Sequence, residues 1–533
     1  MTDETIPPPD LSGPGPGPGP AAGAPPPAIE LIGIDKSFGL VRANRDINMA
    51  VGKGTIHGIV GENGAGKSTL MSILYGFYQA DAGEIRLNGE PAVIRSSDQA
   101  IAAGIGMVHQ HFMLVYPFTV LENVILGVEG GALLGAGIAD AHRELERLER
   151  EYELQVDPDA IVGELPVGLQ QRVEILKALY RGAQTLILDE PTSVLTPAEA
   201  DHLFRVLKQL RDQGKTVILI THKLREIMAV TDNVSVMRRG EIVATLKTAE
   251  TSPERLAELM VGRNVLLRVE KGPAKIGRPL LQVENLTAVD ERGVTRLADV
   301  SFLVHAGEIV GIAGVAGNGQ SALLEVIAGI RHAKSGRILL DGKPIGVTGG
   351  SSPAAVRARS LAHVPEDRHR MGLVTAFEES ENSILGYHSD PHYLNGPFLN
   401  IEAIRADALE KIEKYDIRPP DHRLKTANFS GGNQQKIVLA REMERDPDIL
   451  LVGQPTRGVD IGAIEFIHRQ LIAMRDAGKA ILLVSVELDE IRSLSDRILV
   501  MFAGRVVGEH GPDASEGELG LMMAGIDSRE EAA

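Results

Sequence analysis

The sequence predicts an α/β protein made of two copies of one domain, each with a largely parallel β-sheet. Two pairs of segments recur at a constant spacing of 264 residues: TLILDEPTSVLTP with ILLVGQPTRGVDI, and TVILITHKLREI with AILLVSVELDEI. A third pair, HGIVGENGAGKSTLMSILYG and VGIAGVAGNGQSALLEVIAG, reads in both copies as an apolar strand, a glycine loop and a helix. An internal repeat is the simplest explanation. The predicted domains run from 29 to 262 and from 280 to 527.

The segments around these motifs complete the predicted organisation. A helix-rich insert lies in each copy, near 112–164 and 367–428. In the first insert, AHRELERLEREYEL has charges at helical spacing, which predicts a solvated helix face. Residues 263–279 are short, basic and glycine-containing, and we expect a linker. Residues 1–28, rich in proline, glycine and alanine, predict a disordered tail, and 528–533 a short C-terminal tail.

Composition and charge exclude several classes of protein. The 533 residues carry a formal charge of -17 without a long basic tract, which argues against nucleic acid as a partner. The absence of cysteine excludes disulfides and thiolate metal sites and favours the cytosol. Residues 99–121 lack charged side chains, but His109, Gln110 and His111 in their middle argue against a transmembrane helix. We therefore expect a soluble chain whose contact with a membrane is indirect.

The first copy contains the pattern Gly61-x4-Gly66-Lys67-Ser68 between a strand and a helix. This pattern predicts a phosphate-binding loop, because glycines let backbone N–H groups point at phosphate oxygens and the lysine reaches the terminal phosphates. The serine hydroxyl is placed to bind Mg²⁺. The alternative, a glycine turn without a ligand, is disfavoured by the position between strand and helix. The predicted nucleotide-binding residues of the loop are Gly61, Glu62, Asn63, Gly64, Ala65, Gly66, Lys67, Ser68 and Thr69.

Further candidate residues surround this loop. Asp189 ends an apolar strand and is suited to hold the metal, and Glu190 beside it can polarise a water for attack on a γ-phosphate. Gln110 is predicted to reach both metal and water, and His222 to contact the γ-phosphate. A lone glutamine or histidine is usually structural, so these two depend on the surrounding pattern. Phe38 is predicted to stack on adenine, with a position in the hydrophobic core as the alternative.

The set GENGAGKST, Gln110, LPVGLQQRVEI, LILDEP and His222, repeated in tandem, resembles the ATP-binding subunit of an ABC importer over essentially everything after residue 28. The segments PEDRHRMGLV, GVAGNGQS and NFSGGNQQK are similar to those of the simple-sugar and nucleoside uptake group. The resemblance implies two tandem P-loop ABC-type ATPase domains, each with a RecA-like parallel-sheet core, a helical subdomain and an antiparallel β subdomain. The implied cofactors are ATP and Mg²⁺. The implied catalytic residues are Lys67, Gln110, Glu190 and His222, and the implied metal ligands are Ser68, Gln110 and Asp189.

The second copy departs from the family pattern at the positions that carry the chemistry. The position of the loop lysine holds Gln320, that of the Q-loop glutamine Glu366, that of the Walker B aspartate Gly453, that of the catalytic glutamate Gln454 and that of the switch histidine Val486. Without lysine and aspartate, charge on a transferring phosphoryl group has little stabilisation. We expect negligible hydrolysis there, while backbone amides leave weak nucleotide binding open.

The signature motifs show the opposite asymmetry. The resemblance implies that the cassettes pair head to tail, so that ATP lies between one copy's phosphate loop and the other copy's signature. The second copy keeps Ser430, Gly431, Gly432 and the Asp460 of RGVD, whereas the first has Pro166, which lacks both hydroxyl and N–H, and reads SVLT. We therefore predict one competent ATP site, formed by the first copy's Walker motifs and these four residues, and one inert site that acts as a hinge.

The implied function is ATP hydrolysis that drives import of nucleosides, with ribose- or galactose-type sugars as the alternative. The PEDRH segment and the degraded second loop favour nucleosides by analogy. The implied partners are two integral-membrane permease subunits and an extracytoplasmic substrate-binding protein. The chain is then peripheral at the cytoplasmic face of the cell membrane and contacts the membrane through the permeases only.

The segment HFMLVYPFTVLENVILG, which follows Gln110, lies where the family docks the coupling helices of the permease. The alternative is that it forms the core of the helical insert. The rival from another class is a soluble tandem ATPase that acts on ribosomes or DNA. That class is expected to have two intact sites, a long charged linker and basic extensions, and this chain has none of them. An exporter subunit also stays open, although the signature and the tandem pattern favour import.

Overall fold

The computed structural model describes residues 26–39, 41–109, 112–127, 134–192, 195, 197–263, 269, 271–315, 317–349, 351–459, 461–523 and 525–526. The chain divides into two compact units, Met1–Val265 and Leu266–Ala533. The division falls inside the predicted linker. Among the described residues, none of the helices has both the length and the apolar character that crossing a membrane requires.

The first unit contains two sheets. The strands are β1 (Ile29–Phe38), β2 (Val41–Val51), β3 (Ile56–Gly61), β4 (Ala82–Leu87), β5 (Glu90–Ala92), β6 (Ile105–Val108), β7 (Thr185–Asp189), β8 (Thr216–Thr221), β9 (Asn233–Arg238) and β10 (Glu241–Lys247). An antiparallel sheet has the order β2-β1-β4-β5, and a six-stranded sheet has the order β10-β9-β3-β8-β7-β6. In the second sheet β9, β3, β8, β7 and β6 run parallel and β10 is antiparallel to β9.

The helices cover the parallel sheet and form the predicted insert. They are α1 (Lys67–Leu74), α2 (Ser97–Ala102), α3 (Val120–Ile125), α4 (Leu134–Glu151), α5 (Val167–Tyr180), α6 (Pro197–Asp212), α7 (Leu224–Val230) and α8 (Pro253–Val261), with 3₁₀ turns at Val162–Glu164 and Thr248–Glu250. Every residue of β3, β7 and β8 is buried, as expected for uninterrupted apolar strands covered on both faces. The helix α4 buries Ala141, Leu145 and Leu148 at helical spacing, and most of its charged side chains form the solvated face that the sequence predicts. Glu149 is the exception, because it is buried.

The second unit repeats this arrangement. Its strands are β11 (Pro279–Val289), β12 (Thr295–His305), β13 (Glu308–Ala313), β14 (Ser335–Leu340), β15 (Lys343–Ile345), β16 (Leu361–Val364), β17 (Leu394–Asn395), β18 (Phe398–Leu399), β19 (Ile449–Gly453), β20 (Ala480–Val484), β21 (Arg497–Phe502) and β22 (Arg505–His510). The sheet orders are β12-β11-β14-β15 and β22-β21-β13-β20-β19-β16, which match the first unit strand for strand. The predicted fold of two parallel-sheet cores, each with an antiparallel subdomain, is confirmed.

The helical elements of the second unit include features that the sequence did not reveal. They are α9 (Gln320–Ile327), α10 (Pro353–Arg357), α11 (Glu379–Asn382), α12 (Ile401–Lys414), α13 (Gly431–Met443), α14 (Ile461–Asp476), α15 (Leu488–Leu494) and α16 (Glu516–Met523), with a π-helical turn at Arg368–Gly372 and 3₁₀ turns at Pro391–Tyr393 and Thr426–Asn428. The insert, predicted to be helix-rich, also contains the small hairpin formed by β17 and β18. The second half of the linker is attached to this unit, because Lys271 donates to the carbonyl oxygen of Leu494 at 3.0 Å.

A buried ion pair anchors the central strand of the second unit. Arg475, at the end of α14, is 1% exposed and donates from Nη1 to Oδ1 of Asp496 at 2.9 Å. The other carboxylate oxygen of Asp496 accepts from the N–H of Ile309, in β13, at 2.9 Å. The first unit repeats this pair with Arg211 and Asp232 at 3.1 Å, but there the arginine side chain is 28% exposed.

We expect Arg475→Ala to lower the free energy of unfolding of the second unit by about 1.5–3 kcal/mol, because it removes a buried guanidinium that bonds to a charged partner and leaves the Asp496 carboxylate with Lys271, at 3.4 Å, as its cation. Arg211→Ala is the matched control, and we expect a loss of about 1 kcal/mol or less from this more exposed pair. Hydrogen exchange of the β13 and β3 amides measures each unit separately. Equal losses in the two units would contradict this account.

Candidate functional site

The loop between β3 and α1 has the backbone that a phosphate site needs. Gly64 and Gly66 have φ values of 81° and 101°, which side chains with a Cβ rarely adopt. A Cβ on Gly66 would also collide with the carbonyl oxygen of Ala43. Asn63 and Gly64 are exposed, and Ala65 is buried beneath the loop. Ser68 and Thr69 lie in the first turn of α1, whose N-terminal amides carry the positive end of the helix dipole.

Lys67 lies folded over this loop. Its side chain is buried, and Nζ donates to the carbonyl oxygens of Gly61 at 2.6 Å and Glu62 at 3.0 Å. Burial lowers the pKa of Lys67, while the carboxylates of Glu190, Asp189 and Glu62 oppose that shift. Lys67 therefore lies at the predicted phosphate-binding loop, where it interacts electrostatically with the carboxylates of Asp189 and Glu190.

The two carboxylates lie at the C-terminal end of β7. Asp189 is 8% exposed, and burial together with the charge of Glu190 raises its pKa, against a hydrogen bond from the hydroxyl of Ser68 and the charge of Lys67. The structure thus brings Ser68 and Asp189 together. A hydroxyl and a carboxylate are the oxygen ligands that Mg²⁺ prefers, so the side chains present fit that ion.

Glu190 is paired with His222, which follows β8. The Nδ1 of His222 lies 2.8 Å from Oε1 of Glu190. Burial alone raises the pKa of Glu190, but the hydrogen bond from His222 and the charges of His222 and Lys67 hold the pKa below its ordinary value. Glu190 is therefore ionised at neutral pH and able to accept a proton.

This pairing predicts a pH effect. In the parent protein the carboxylate of Glu190 stays ionised at pH values below the ordinary pKa of glutamate. Activity is therefore lost only as the pH falls through the lowered pKa. We expect His222→Ala to raise the pKa of Glu190, because it removes the hydrogen bond and leaves the burial. The acidic limb of kcat/KM then moves to higher pH, measured on the residual activity. An acidic limb that stays in place would show that His222 does not set the charge of Glu190.

The structure answers the question left open about Phe38. Its side chain is 43% exposed, so the alternative of a core position is wrong. The ring contacts Tyr78 edge-to-face, with 5.1 Å between centroids, and Nζ of Lys36 lies 5.5 Å from the ring centroid. Phe38 is thus an exposed aromatic surface at the end of β1, and its stacking on adenine stays a prediction.

Two predicted residues, Gln110 and Asp460, lie outside the described residues, as does Thr196 of SVLT. The signature of the second unit is described. Ser430 is the N-cap of α13, and its oxygen accepts from the side-chain amide of Asn433 at 2.8 Å. In the first unit the N-cap position of α5 is Pro166, which makes no side-chain cap.

The second unit keeps the shape of the site without its chemistry. Gly317 and Gly319 have φ values of 95° and 105°, close to those in the first loop. Gln320 takes the place of the lysine, and its Nε2 donates to the carbonyl oxygen of Val315 at 3.1 Å. A Cβ on Gly453 would lie 2.5 Å from Cγ of Glu366, so the glutamate packs where an aspartate side chain would begin.

The residue after each Walker B strand has a strained backbone. Glu190 and Gln454 both have a φ of 47°, in the left-handed region that residues other than glycine seldom occupy. Both N–H groups are fixed in the same way: that of Glu190 donates to Ile220 at 2.9 Å and that of Gln454 to Val484 at 2.7 Å. Val486 donates its N–H to Oε1 of Gln454 at 3.2 Å. The turn is a property of the fold that persists where the carboxylate is lost, and it was not predicted from the sequence.

A model of the ABC transporter family matches residues 44–193 and 297–457. The chain belongs to the ABC transporter family. It is similar to the guanosine import ATP-binding protein NupO of Bacillus subtilis, with 48% identity over 504 residues that cover 94% of this chain and 98% of the relative. The nucleoside import ATP-binding protein NupA of Lactococcus lactis is 46% identical over 498 residues, 93% and 98% of the two chains. The glucose import ATP-binding protein TsgD13 of Haloferax volcanii is 45% identical over 531 residues, 94% and 96% of the two chains.

Membership of the ABC family confirms the resemblance, the fold and the assignment of the chain as an ATP-binding ATPase. Sequence reasoning missed one residue beside the signature turn of the second unit, Arg368, which lies against Gly431 and donates to the carbonyl oxygen of Arg457. The PEDRH segment that contains it was identified, but only as a marker of the subgroup. The sequence showed only that Arg368 is a charged residue near the Q-loop position. Its contact with the signature turn depends on the fold and could not be predicted.

Proposed function

We propose that the chain hydrolyses ATP to drive the import of nucleosides through separate membrane subunits. The observation that carries the proposal is the identity of 48% and 46% to a guanosine and a nucleoside import ATP-binding protein, over more than nine-tenths of each chain. The glucose import relative at 45% identity supports simple sugars as the second candidate. Stimulation of ATP hydrolysis by a nucleoside or by a sugar in the reconstituted complex distinguishes the two candidates.

The proposed ATP site combines the first unit's Walker motifs with the second unit's signature. Lys67 and the loop amides bind the phosphates, and Glu190 accepts the proton of the attacking water. Ser430, Gly431, Gly432 and Asp460 bind the γ-phosphate from the other side. The oxygen of Ser430 acts as an acceptor in its bonds within α13, so its hydroxyl proton can be donated to a phosphate. Pro166 offers no such donor, and the second Walker motifs lack the charges for hydrolysis.

Mg²⁺ is the proposed cofactor, held by Ser68 and Asp189 together with Gln110. When bound, the ion neutralises charge on the transferred phosphoryl group. His222 keeps Glu190 oriented and ionised, since its Nδ1 lies 2.8 Å from that carboxylate. This division gives each side chain one role: charge for Lys67, metal binding for Asp189 and proton transfer for Glu190.

The proposed partners are two permease subunits and an extracytoplasmic binding protein, which places the chain peripherally at the cytoplasmic face of the membrane. The loop after β6 supports a docking surface, because Met113, Tyr116 and Phe118 are 60%, 52% and 38% exposed. Neighbouring Leu114, by contrast, is buried. Exposed aromatic and methionine side chains clustered in one loop are typical of an interface.

The test is reconstitution of the chain with its permeases in liposomes. We expect binding protein loaded with guanosine or another nucleoside to stimulate ATP hydrolysis severalfold, and ribose, galactose or glucose to leave it at the basal rate. The complex with Glu190→Gln is the control for hydrolysis by this chain. Stimulation by a sugar alone would replace nucleosides with sugars. Fractionation with ribosomes or DNA, and not with membranes, would overturn the transport function.

A further inference from the structure

The π-helical turn Arg368–Gly372 is attached to the signature helix α13 of the second unit. Nε2 of His369 lies 2.7 Å from Oε1 of Gln434, in the first turns of α13. Arg441, further along the same helix, donates to the carbonyl oxygen of Gly372 at 2.7 Å. In the first unit, Lys177 of α5 makes the corresponding bond to the carbonyl oxygen of Met113 at 2.8 Å. In the second unit, hydrogen bonds therefore join the segment after the Q-loop position to the signature helix α13.

This segment is three residues longer in the second unit than in the first. It runs from the end of β6 to Met113 in the first unit and from the end of β16 to Gly372 in the second. The additional length accompanies the π-helical turn, which begins with Arg368. π-Helical turns are rare and are often found at functional sites. The insertion thus places a cation in a region where the first unit has the shorter sequence HQHFM.

The guanidinium of Arg368 lies against the signature turn. Its Nη1 donates to the carbonyl oxygen of Arg457 at 2.8 Å, in the RGVD loop. A Cβ on Gly431 would lie 2.6 Å from Nη2 of Arg368 and 2.8 Å from the carbonyl oxygen of Gly458. Only glycine fits this approach without displacement. The arginine, the signature glycine and the RGVD loop consequently hold one another in place.

Part of the hydrogen-bonding capacity of this guanidinium is unused. The Nε of Arg368 is buried and has no acceptor among the residues that the structure describes. Burial lowers the pKa of Arg368, the carboxylate of Asp367 raises it and the charge of Arg457 lowers it. An arginine keeps its charge through such shifts. A buried donor of a charged group that lacks an acceptor is unfavourable, so the position of this guanidinium has a cost in stability.

The corresponding turn of the first unit has the opposite charge. The carboxylate of Glu199, on α6, occupies the space that a Cβ on Gly168 would need. Gly168 aligns with Gly432 of the second signature. One signature turn therefore has a guanidinium beside its glycines and the other has a carboxylate.

We infer that Arg368 is a positioning residue that holds the Ser430–Gly431–Gly432 turn and makes it selective for a nucleotide with a γ-phosphate. This inference rests on the proposed site formed by the first unit's Walker motifs and the second unit's signature. ADP lacks the phosphate that reaches the signature, so the arginine contributes to the binding of ATP and not of ADP. Arg368 is thus a residue outside the signature motif that contributes to the discrimination between ATP and ADP.

The test compares the affinities for ATP and ADP in the Glu190→Gln protein, where we expect ATP hydrolysis to be about 10²- to 10⁴-fold slower. We expect Arg368→Ala in this background to weaken ATP binding about 10- to 100-fold, as for loss of a charged hydrogen-bonding group, and to leave ADP binding unchanged. Arg368→Lys is expected to recover part of the ATP affinity, since it keeps the charge and loses the fork. Displacement of a fluorescent nucleotide measures both constants.

Arg370→Ala is the matched control, because Arg370 is an exposed arginine of the same turn; we expect unchanged affinities. Equal weakening of ATP and ADP in Arg368→Ala, or no change in either, would overturn the inference. If Arg368→Ala fails to fold, Arg368→Lys decides: an unchanged ratio of ATP to ADP affinity then contradicts the role of the fork. Failure of the proposed ATP site is distinguishable, since the Glu190→Gln protein would then hydrolyse ATP as fast as the unsubstituted protein.

Discussion

Glu190→Gln is expected to lower the rate of ATP hydrolysis by about 10²- to 10⁴-fold, the usual contribution of a general base. The substitution keeps the size of the side chain and removes its ability to accept a proton. Glu190 is suited to that role, because His222 bonds to its carboxylate at 2.8 Å and keeps its pKa low. Phosphate release at saturating Mg·ATP measures the effect, and fluorescent nucleotide binding verifies that the site stays intact.

Gln454→Glu is the matched control in the second unit. Gln454 has the same φ of 47° and the same backbone hydrogen bond as Glu190, so the added carboxylate is placed in an equivalent turn. The position nonetheless lacks a lysine, a Walker B aspartate and a histidine. We expect the rate to stay within about twofold of the parent, since a base alone restores little where the other groups are missing. Full turnover in Glu190→Gln, or a multiplied rate in Gln454→Glu, would contradict the assignment of one working site.

The repeat made most of the fold predictable. Uninterrupted apolar strands before the glycine loop and before Asp189 predicted β3 and β7, and the alignment of the copies extended the prediction to the second unit. The pattern Gly61-x4-Gly66-Lys67-Ser68 predicted the loop between β3 and α1. These features are local, because each follows from a few neighbouring residues and their periodicity.

The contacts that could not be predicted are those between distant segments. Arg368 meets Gly431 and the RGVD loop only because the π-helical turn folds back onto α13. The packing of Glu366 against Gly453 likewise joins the ends of β16 and β19. From the sequence, Gly453 is a lost aspartate. In the fold it is also the space that a neighbouring glutamate has filled, so restoring the aspartate alone meets a steric obstacle.

Lys67→Gln is expected to reduce ATP hydrolysis by about 10²- to 10³-fold, as for loss of one group that stabilises transition-state charge. The natural second loop shows that glutamine fits this position. Gln320 donates to the carbonyl oxygen of Val315 at 3.1 Å, as Lys67 donates to that of Glu62 at 3.0 Å. The substitution therefore removes the charge and leaves the fold of the loop, and an unchanged unfolding temperature checks this point.

Gln320→Lys is the reciprocal change and gives the second loop a cation. We expect tighter nucleotide binding by that loop and no added turnover, because Gly453 and Gln454 still provide neither a metal ligand nor a base. The pair of variants separates binding from chemistry: one loses the reaction with its loop intact, and the other gains charge without gaining the reaction. An undiminished rate of hydrolysis in Lys67→Gln, or a higher rate in Gln320→Lys, would place hydrolysis in the second unit. The position of Glu190 is there occupied by Gln454, which cannot take the proton of the attacking water.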